Sequence, residues 1–374
     1  MVLKHWLTEI SAAPADLGTF LPLSLGLVAI AGMDPVGLLF GFGIFAIATA
    51  LIYRRPIPVQ PMKAVAAMGI AGWAGPEVLI ATGCLLGLTL ILLSQTNAIG
   101  WLKRLVPNTV LFGLRIALAI SLLTMIRDLP GLSYIGLAGL LAILIVLLRS
   151  QLKALASVTT VLVGWTIFGD VSGIEILEIG FHWPVILLPT LTAMGSALET
   201  TFLPQLALTL TNALLLTAVI AQDYFPDDRN HLTERNFALS SGVANFVLAP
   251  IGAMPMCHGA GGLAAYHGLG SKTGWSVAVF GFACLGGALL LGDQVVTILR
   301  TLPSEVLGVL LVYAAWVLAD PVKIANVRSA CQVIIVFMVG ATLLAGPLIA
   351  LIAGIAIELA RARWFPYSNI STSD

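Results

Sequence analysis

Apolar residues occupy this chain in long runs. Early ones span 17–33, 35–52, 77–94, 106–125 and 132–148. Later ones span 154–168, 201–220, 237–251, 275–291, 303–318, 331–345 and 347–359. A helix crosses the roughly 30 Å hydrocarbon slab in about 20 residues, and these runs approach that length. Two further segments, around Met62 to Trp73 and Gly259 to Leu269, are short and broken by glycine and proline. Counted together, the pattern predicts an all-α polytopic membrane protein of about 14 transmembrane segments.

Composition excludes the soluble alternatives. Hydrophobic residues make up 59% of the 374 and charged residues only 10%, against about 25% charged in soluble domains. A net charge of zero gives nucleic acid nothing to bind. The four cysteines, Cys84, Cys257, Cys284 and Cys331, lie in or beside membrane segments and show neither disulfide nor zinc spacing. No metal or cofactor is expected. Lys4 and Asp16, rather than a cationic stretch and a cleavage site, precede the first run, so no removable signal peptide is expected.

The placement of positive charge orients the chain. With a cytoplasmic amino terminus, the loops carrying Arg54 and Arg55, Lys103 and Arg104, Arg149 and Lys153, Arg229 and Arg235, Lys272, Lys323 and Arg328 all face the cytoplasm. Arg361 and Arg363 fall on that side too, so both termini are expected there, in a bacterial inner membrane. Arg127 and Arg300 fall outside, and Lys63 and Arg115 stay within membrane segments. The acidic stretch Asp170, Glu175 and Glu178 then lies outside, between residues 1–180 and 181–374. Seven spans on each side of it give the halves opposite orientations, the inverted-repeat plan of secondary transporters.

A sequence echo fits that plan: Thr19-Phe20-Leu21-Pro22 opens the first span and Thr201-Phe202-Leu203-Pro204 the eighth. The third span of each half is the punctuated one, Pro58-Val59-Gln60-Pro61-Met62-Lys63 and Met254-Pro255-Met256-Cys257-His258-Gly259-Ala260. Irregular backbone at membrane depth must line a cavity or be buried in protein, so these segments should face each other. In each, an extended stretch precedes a helix start, and two such starts would offer free N–H groups and positive dipole ends to an anion.

At these residues the chain resembles the molybdate transporter family, a branch related to the sulfate permease (SulP) superfamily and, in fold, to the uracil permease class. The matching stretches are Asp16 to Phe20, Pro58 to Ala67, Pro204 to Asn212 and Gly252 to Ala264, continuing through Tyr266 and Gly268 to Lys272-Thr273-Gly274. The resemblance implies 14 helices as seven plus seven, a core and a gate domain, and substrate held between the broken third and tenth helices. Sulfate permeases usually carry a STAS domain after the last span. Only a short tail follows Arg361, which favours the molybdate branch.

Candidate site residues follow. Lys63 is the lysine placed within a membrane segment, where a charge suggests function, against a lysine that snorkels or pairs structurally. Gln60 offers an amide donor before the helix start, or else satisfies its own loop. Gly259 and Ala260, with Gly261 and Gly262, let an anion approach backbone N–H groups, or else let helices pack closely. His258 is a candidate for binding the anion, carrying a coupling proton or capping a helix, and Cys257 for lining the site or merely packing. Gln205 and Thr19 supply donors at matching repeat positions, with helix capping the alternative for Thr19. Asp16 and Glu199 are, beside His258, the proton-coupling candidates.

The expected function is therefore import of a small tetrahedral oxyanion by a proton-coupled secondary transporter, with molybdate first and sulfate next. Tungstate, a nucleobase permease and an anion channel stay open behind them. No protease, hydrolase or paired-carboxylate motif appears, so no enzyme is expected. The expected partners are the oxyanion and the lipid bilayer, with a homodimer left open.

Overall fold

The structure, a computed structural model, describes residues 2–70, 72–96, 98–99, 108–150, 155–170, 179–319, 329–345 and 347–364. Lys103, Arg104, Lys153, Glu175, Glu178, Lys323 and Arg328 lie outside the described residues, as do the side chains of Lys4, Arg115, Cys331 and Arg363. The chain is helical nearly throughout, as the apolar runs predict.

Helix α1 (Val2–Ala12) leads through a 3-10 turn at Ala13–Asp16 into α2 (Leu17–Ala29). Helix α3 (Pro35–Tyr53) starts sharply because the Asp34 carboxylate accepts from Val36 N at 3.4 Å and Gly37 N at 2.7 Å, with Pro35 in the first turn. It stops at Arg54 in the left-handed region. A two-residue strand, β1 (Gln60–Pro61), then opens the short α4 (Lys63–Ile70). Next come α5 (Pro76–Ser94), α6 (Asn108–Thr124), α7 (Tyr134–Arg149) and α8 (Ala156–Phe168).

Past an extended stretch, α9 (Leu191–Tyr224) runs for 34 residues and widens into π-helical turns at Leu198–Phe202 and Thr209–Leu216. Thr190 caps its start by accepting from Ala193 N at 3.2 Å. Helix α10 (Glu234–Leu248) leads to the strand β2 (Met256–Cys257) and the nine-residue α11 (Ala260–Gly268). The chain continues with α12 (Trp275–Leu291), α13 (Gln294–Arg300), α14 (Ser304–Ala319), α15 (Ser329–Ala345) and α16 (Pro347–Trp364).

Among the described residues, α3, α5 and α9 are each long and apolar enough to cross a bilayer alone, and two bent helix pairs raise that number to five. Their outer surfaces agree. Leu51, Ile52, Leu92, Leu198 and Leu203 are all exposed, as side chains facing lipid rather than water would be.

Two helix pairs make the tightest crossings. Helix α3 lies on α12, where a Cβ on Gly43 would sit 2.7 Å from the Gly281 carbonyl oxygen. Helix α5 lies on α10, where a Cβ on Gly87 would sit 2.8 Å from the Gly242 carbonyl oxygen. Lipid tails are as apolar as leucine, so helices in a membrane associate through such close backbone approach. Helix α14 packs against α2, α6, α7 and α11, and α15 packs against α6 and α16.

At one end, buried charge ties loops together. Glu9 on α1, fully buried, accepts from Ser271 Oγ at 2.7 Å, from Lys272 N and Thr273 N at 3.0 Å and from Ser276 N at 3.3 Å. Arg55 pairs with Asp228, donates to the Lys272 carbonyl at 3.1 Å and lies over the Phe225 ring. Neither clamp is legible from the sequence, because its partners lie far apart along the chain.

Leucine in place of Gly43 or Gly87 is expected to force its helix pair apart. Overpacking of this kind costs about 1–3 kcal/mol or more. Thermal unfolding in detergent should show a lowered midpoint for each variant, with Leu51→Ala on the exposed face close to the parent.

Candidate functional site

The two broken segments meet as a minimal antiparallel sheet. Gln60 pairs with Cys257 and Pro61 with Met256, and Met62 N donates to the Pro255 carbonyl at 2.9 Å. Backbone polar groups buried in a membrane need partners, and the sequence supplies them in two ways. Pro56, Pro58, Pro61 and Pro255 carry no N–H to satisfy. On the outer edge of β2, the Asn245 amide stands in for a third strand: its Oδ1 accepts from Met256 N at 2.7 Å and its Nδ2 donates to Met256 O at 2.6 Å.

Beside this sheet sits a buried polar knot. Gln60 Nε2 donates to Asp16 Oδ1 at 2.7 Å and to Thr19 Oγ1 at 3.3 Å. The Thr19 hydroxyl donates to the same Asp16 carboxyl. All three residues are at most 4% exposed. Asp16 Oδ2 is buried with no hydrogen-bond partner among the described residues.

Two glycines of α11 and its cap make room for the knot. A Cβ on Gly262 would lie 2.7 Å from Asp16 Oδ2 and 2.8 Å from Gln60 Nε2. A Cβ on Gly259 would overlap Gln60 Oε1 at 1.7 Å. These glycines are therefore required by the side chains they face, and not only by helix packing.

The helix starts that flank the sheet are unlike each other. The sequence suggests two equivalent ends with free N–H groups, and the structure corrects that. Ala64 N and Val65 N donate to Gln205 Oε1 at 2.9 and 3.2 Å, so α4 is capped by a side chain from α9. Gln205 is itself steadied by donation from its Nε2 to Thr209 Oγ1 at 3.0 Å. No side chain caps α11, whose cap position is Gly259 and whose first residue is Ala260. Lys63, half-buried at the mouth of α4, has no carboxylate within ion-pair distance among the described residues and interacts through space with Asp16 and Cys257. The arrangement brings together one helix start without a side-chain cap, the Lys63 side chain and the Gln60 amide.

The remaining candidates separate. His258 follows β2 directly, yet its ring turns away from the knot. Nδ1 contacts the Pro58 carbonyl at 3.0 Å and Nε2 the Ser240 hydroxyl at 2.8 Å. A carbonyl only accepts, so Nδ1 carries the proton and a neutral ring accepts at Nε2. Ser240 in turn contacts Tyr53 OH at 2.8 Å, and the rings of Phe45, Tyr53 and Phe237 enclose the imidazole. These contacts tie the β1 approach to α10. Cys257 is buried opposite Gln60. Glu199 is exposed on α9, apart from the buried knot.

Sequence reasoning missed Asn245, Ser240, Tyr53 and the contact between the Thr82 and Thr201 hydroxyls that joins α5 to α9. Asn245 carried a usable signal, as an amide within the apolar second half of α10.

Fold and site together define a membrane transporter rather than an enzyme. The chain belongs to the molybdate transporter family: the model described as "Molybdate transporter of MFS superfamily" matches residues 8–122 and 197–318, more than half of the chain. Molybdate transporter 2 of Arabidopsis thaliana is 29% identical over 377 residues, covering 86% of this chain and 80% of that one. Molybdate transporter 1 of the same plant is 28% identical over 380 residues, covering 88% and 82%. Among solved structures, the transmembrane domain of the cyanobacterial bicarbonate transporter BicA superposes with a TM-score of 0.59 at 16% identity, covering 95% and 96%. The murine Slc26a9 anion transporter in its inward-facing state gives 0.60 at 14%, covering 98% of this chain and 71% of that one. The family description says MFS, while the fold is that of BicA and Slc26a9.

Replacing Gln205 by leucine strands the Ala64 and Val65 N–H groups in an apolar interior. An unsatisfied buried donor costs about 1–3 kcal/mol. Detergent unfolding should show that loss in Gln205→Leu, and Gln205→Glu, which keeps an acceptor, should recover most of it.

Proposed function

We propose that this protein imports molybdate across a bacterial inner membrane by alternating access, with protons supplying the driving force. The observation that carries this reading is the uncapped start of α11, opened by Gly259 and set against Gln60, with Lys63 three residues further along the chain from Gln60. A tetrahedral oxyanion accepts hydrogen bonds on every face, and free N–H groups, an amide and an ammonium all donate. Family membership supports molybdate as the oxyanion. No acid lies in the first turn of α11, where a site for nucleobase N–H groups would want one.

Transport follows from the architecture. We read the chain as 14 spans in a seven-plus-seven inverted repeat, residues 1–180 and 181–374, divided into core and gate. The two glycine crossings support this reading. Each pairs the second span of one half with the fourth span of the other, α3 with α12 and α10 with α5. The positive loop charges support cytoplasmic termini. Moving a dianion inward against a negative interior costs about 2.3 kcal/mol per charge per 100 mV, so uptake needs a coupled cation.

Labelled molybdate uptake into proteoliposomes with an inward proton gradient tests this. Uptake should saturate, resist excess sulfate and uracil, and fall at least about tenfold in Lys63→Ala and in Gly259→Val, whose side chain would occupy the place of Gln60 Oε1. Absent uptake, or full competition by sulfate or uracil, overturns the assignment.

A further inference from the structure

The Gln60 amide faces the wrong way for an anion. Its Nε2, the donor, is spent on Asp16 and Thr19, while its Oε1 lies against Gly259 at the open start of α11. An acceptor oxygen there would repel an oxyanion. The orientation is dictated by Asp16: one carboxylate oxygen takes both donors, and the other is buried without a partner.

We infer that Asp16 Oδ2 is the binding site of the coupling proton, and that its protonation reverses the Gln60 amide so that Nε2 turns to the oxyanion. This rests on the oxyanion reading above. The step adds one proton to Oδ2 and breaks no covalent bond. The protonated carboxyl turns about its Cβ–Cγ bond, which brings the Oδ2 hydroxyl round to the place of Oδ1; this O–H then donates to Gln60 Oε1, and the freed NH2 donates toward Gly259. A carboxylate only accepts hydrogen bonds, whereas a carboxylic acid also donates, so the two ionisation states select opposite amide orientations. Proton and anion then each favour the other's binding by the same factor.

The surroundings isolate Asp16 for this part. Lys63 on α4, Cys257 on β2 and Tyr266 on α11 interact with it. On the other elements packed against its turn, α12 carries Cys284, α8 carries no titratable group, and α14 carries Tyr313 and Glu305, whose Oε1 accepts from Ser133 N. On α1, His5 lies beside Glu9, which is fully engaged by the loop at Ser271–Ser276. The other acid considered, Glu199, is exposed, and His258 is bonded at both nitrogens away from the knot.

The test is molybdate affinity of the purified full chain in detergent as a function of pH, with proton uptake on binding read by a dye in weak buffer. The wild type should gain affinity as pH falls, up to about tenfold per pH unit, the limit for one linked proton, and take up about one proton per anion. Asp16→Asn, a neutral side chain that donates to Gln60 Oε1 as the acid does, should bind with a pH-independent affinity and take up no proton. Gln60→Met, which leaves Asp16 in place, should bind more weakly and also lose the linkage, so the inference stays testable if one variant folds poorly. A wild type that binds without pH dependence, or an Asp16→Asn protein that keeps the wild-type slope, overturns the proton assignment alone. A wild type that binds no molybdate at any pH overturns the oxyanion reading and this assignment with it.

Discussion

Everything at the centre of this protein depends on satisfying non-helical backbone inside an apolar medium. An unpaired N–H or C=O in hydrocarbon costs several kcal/mol, and the chain leaves the helical path in two buried segments. The remedy is a two-residue sheet between segments nearly two hundred positions apart, with prolines removing donors and Asn245 serving as an artificial third strand. That pairing fixes Gln60 beside Asp16 and against the cap of α11. The polar knot, the glycines that clear space for it and the unequal helix starts all follow.

The inequality of those starts is informative about chemistry. A symmetric pair of open helix ends would hold an anion by dipoles alone. Here α9 reaches across to close one end with Gln205 and leaves the other open, so the electropositive character near α4 comes from the Lys63 side chain instead. A fixed dipole and a mobile ammonium differ in kind, since the lysine can follow its ligand while the helix end cannot. On the proposed reading, an oxyanion between the two would meet one rigid and one compliant contact.

Much of this was legible in the sequence. Block hydrophobicity gave the helices, and glycine and proline at Pro58–Lys63 and Met254–Gly262 marked the broken segments and their mutual approach, because lipid forbids the alternative. Lys63 stood out as a charge at membrane depth, Gln60 as an amide donor before a helix start and Gly259 as a glycine where backbone can be approached closely. What was not legible was direction. Nothing local says that the His258 ring points at Pro58 and Ser240, or that Gln205 caps a helix some 140 positions earlier. Those facts depend on rotamers and on which helix lies next door, and single-chain periodicity carries neither.

The strand register has a further consequence for how such a protein can change. Side chains alternate across a strand, so adding or deleting one residue between Pro58 and Lys63, or between Pro255 and Ala260, would swap the facing of every side chain in the pair. Gln60 would leave Asp16, and the glycines of α11 would meet a different neighbour. Substitutions remain available at these positions, but length does not. Descendants of this chain that adopt new anions are therefore confined to changing side chains on a segment whose residue count is frozen.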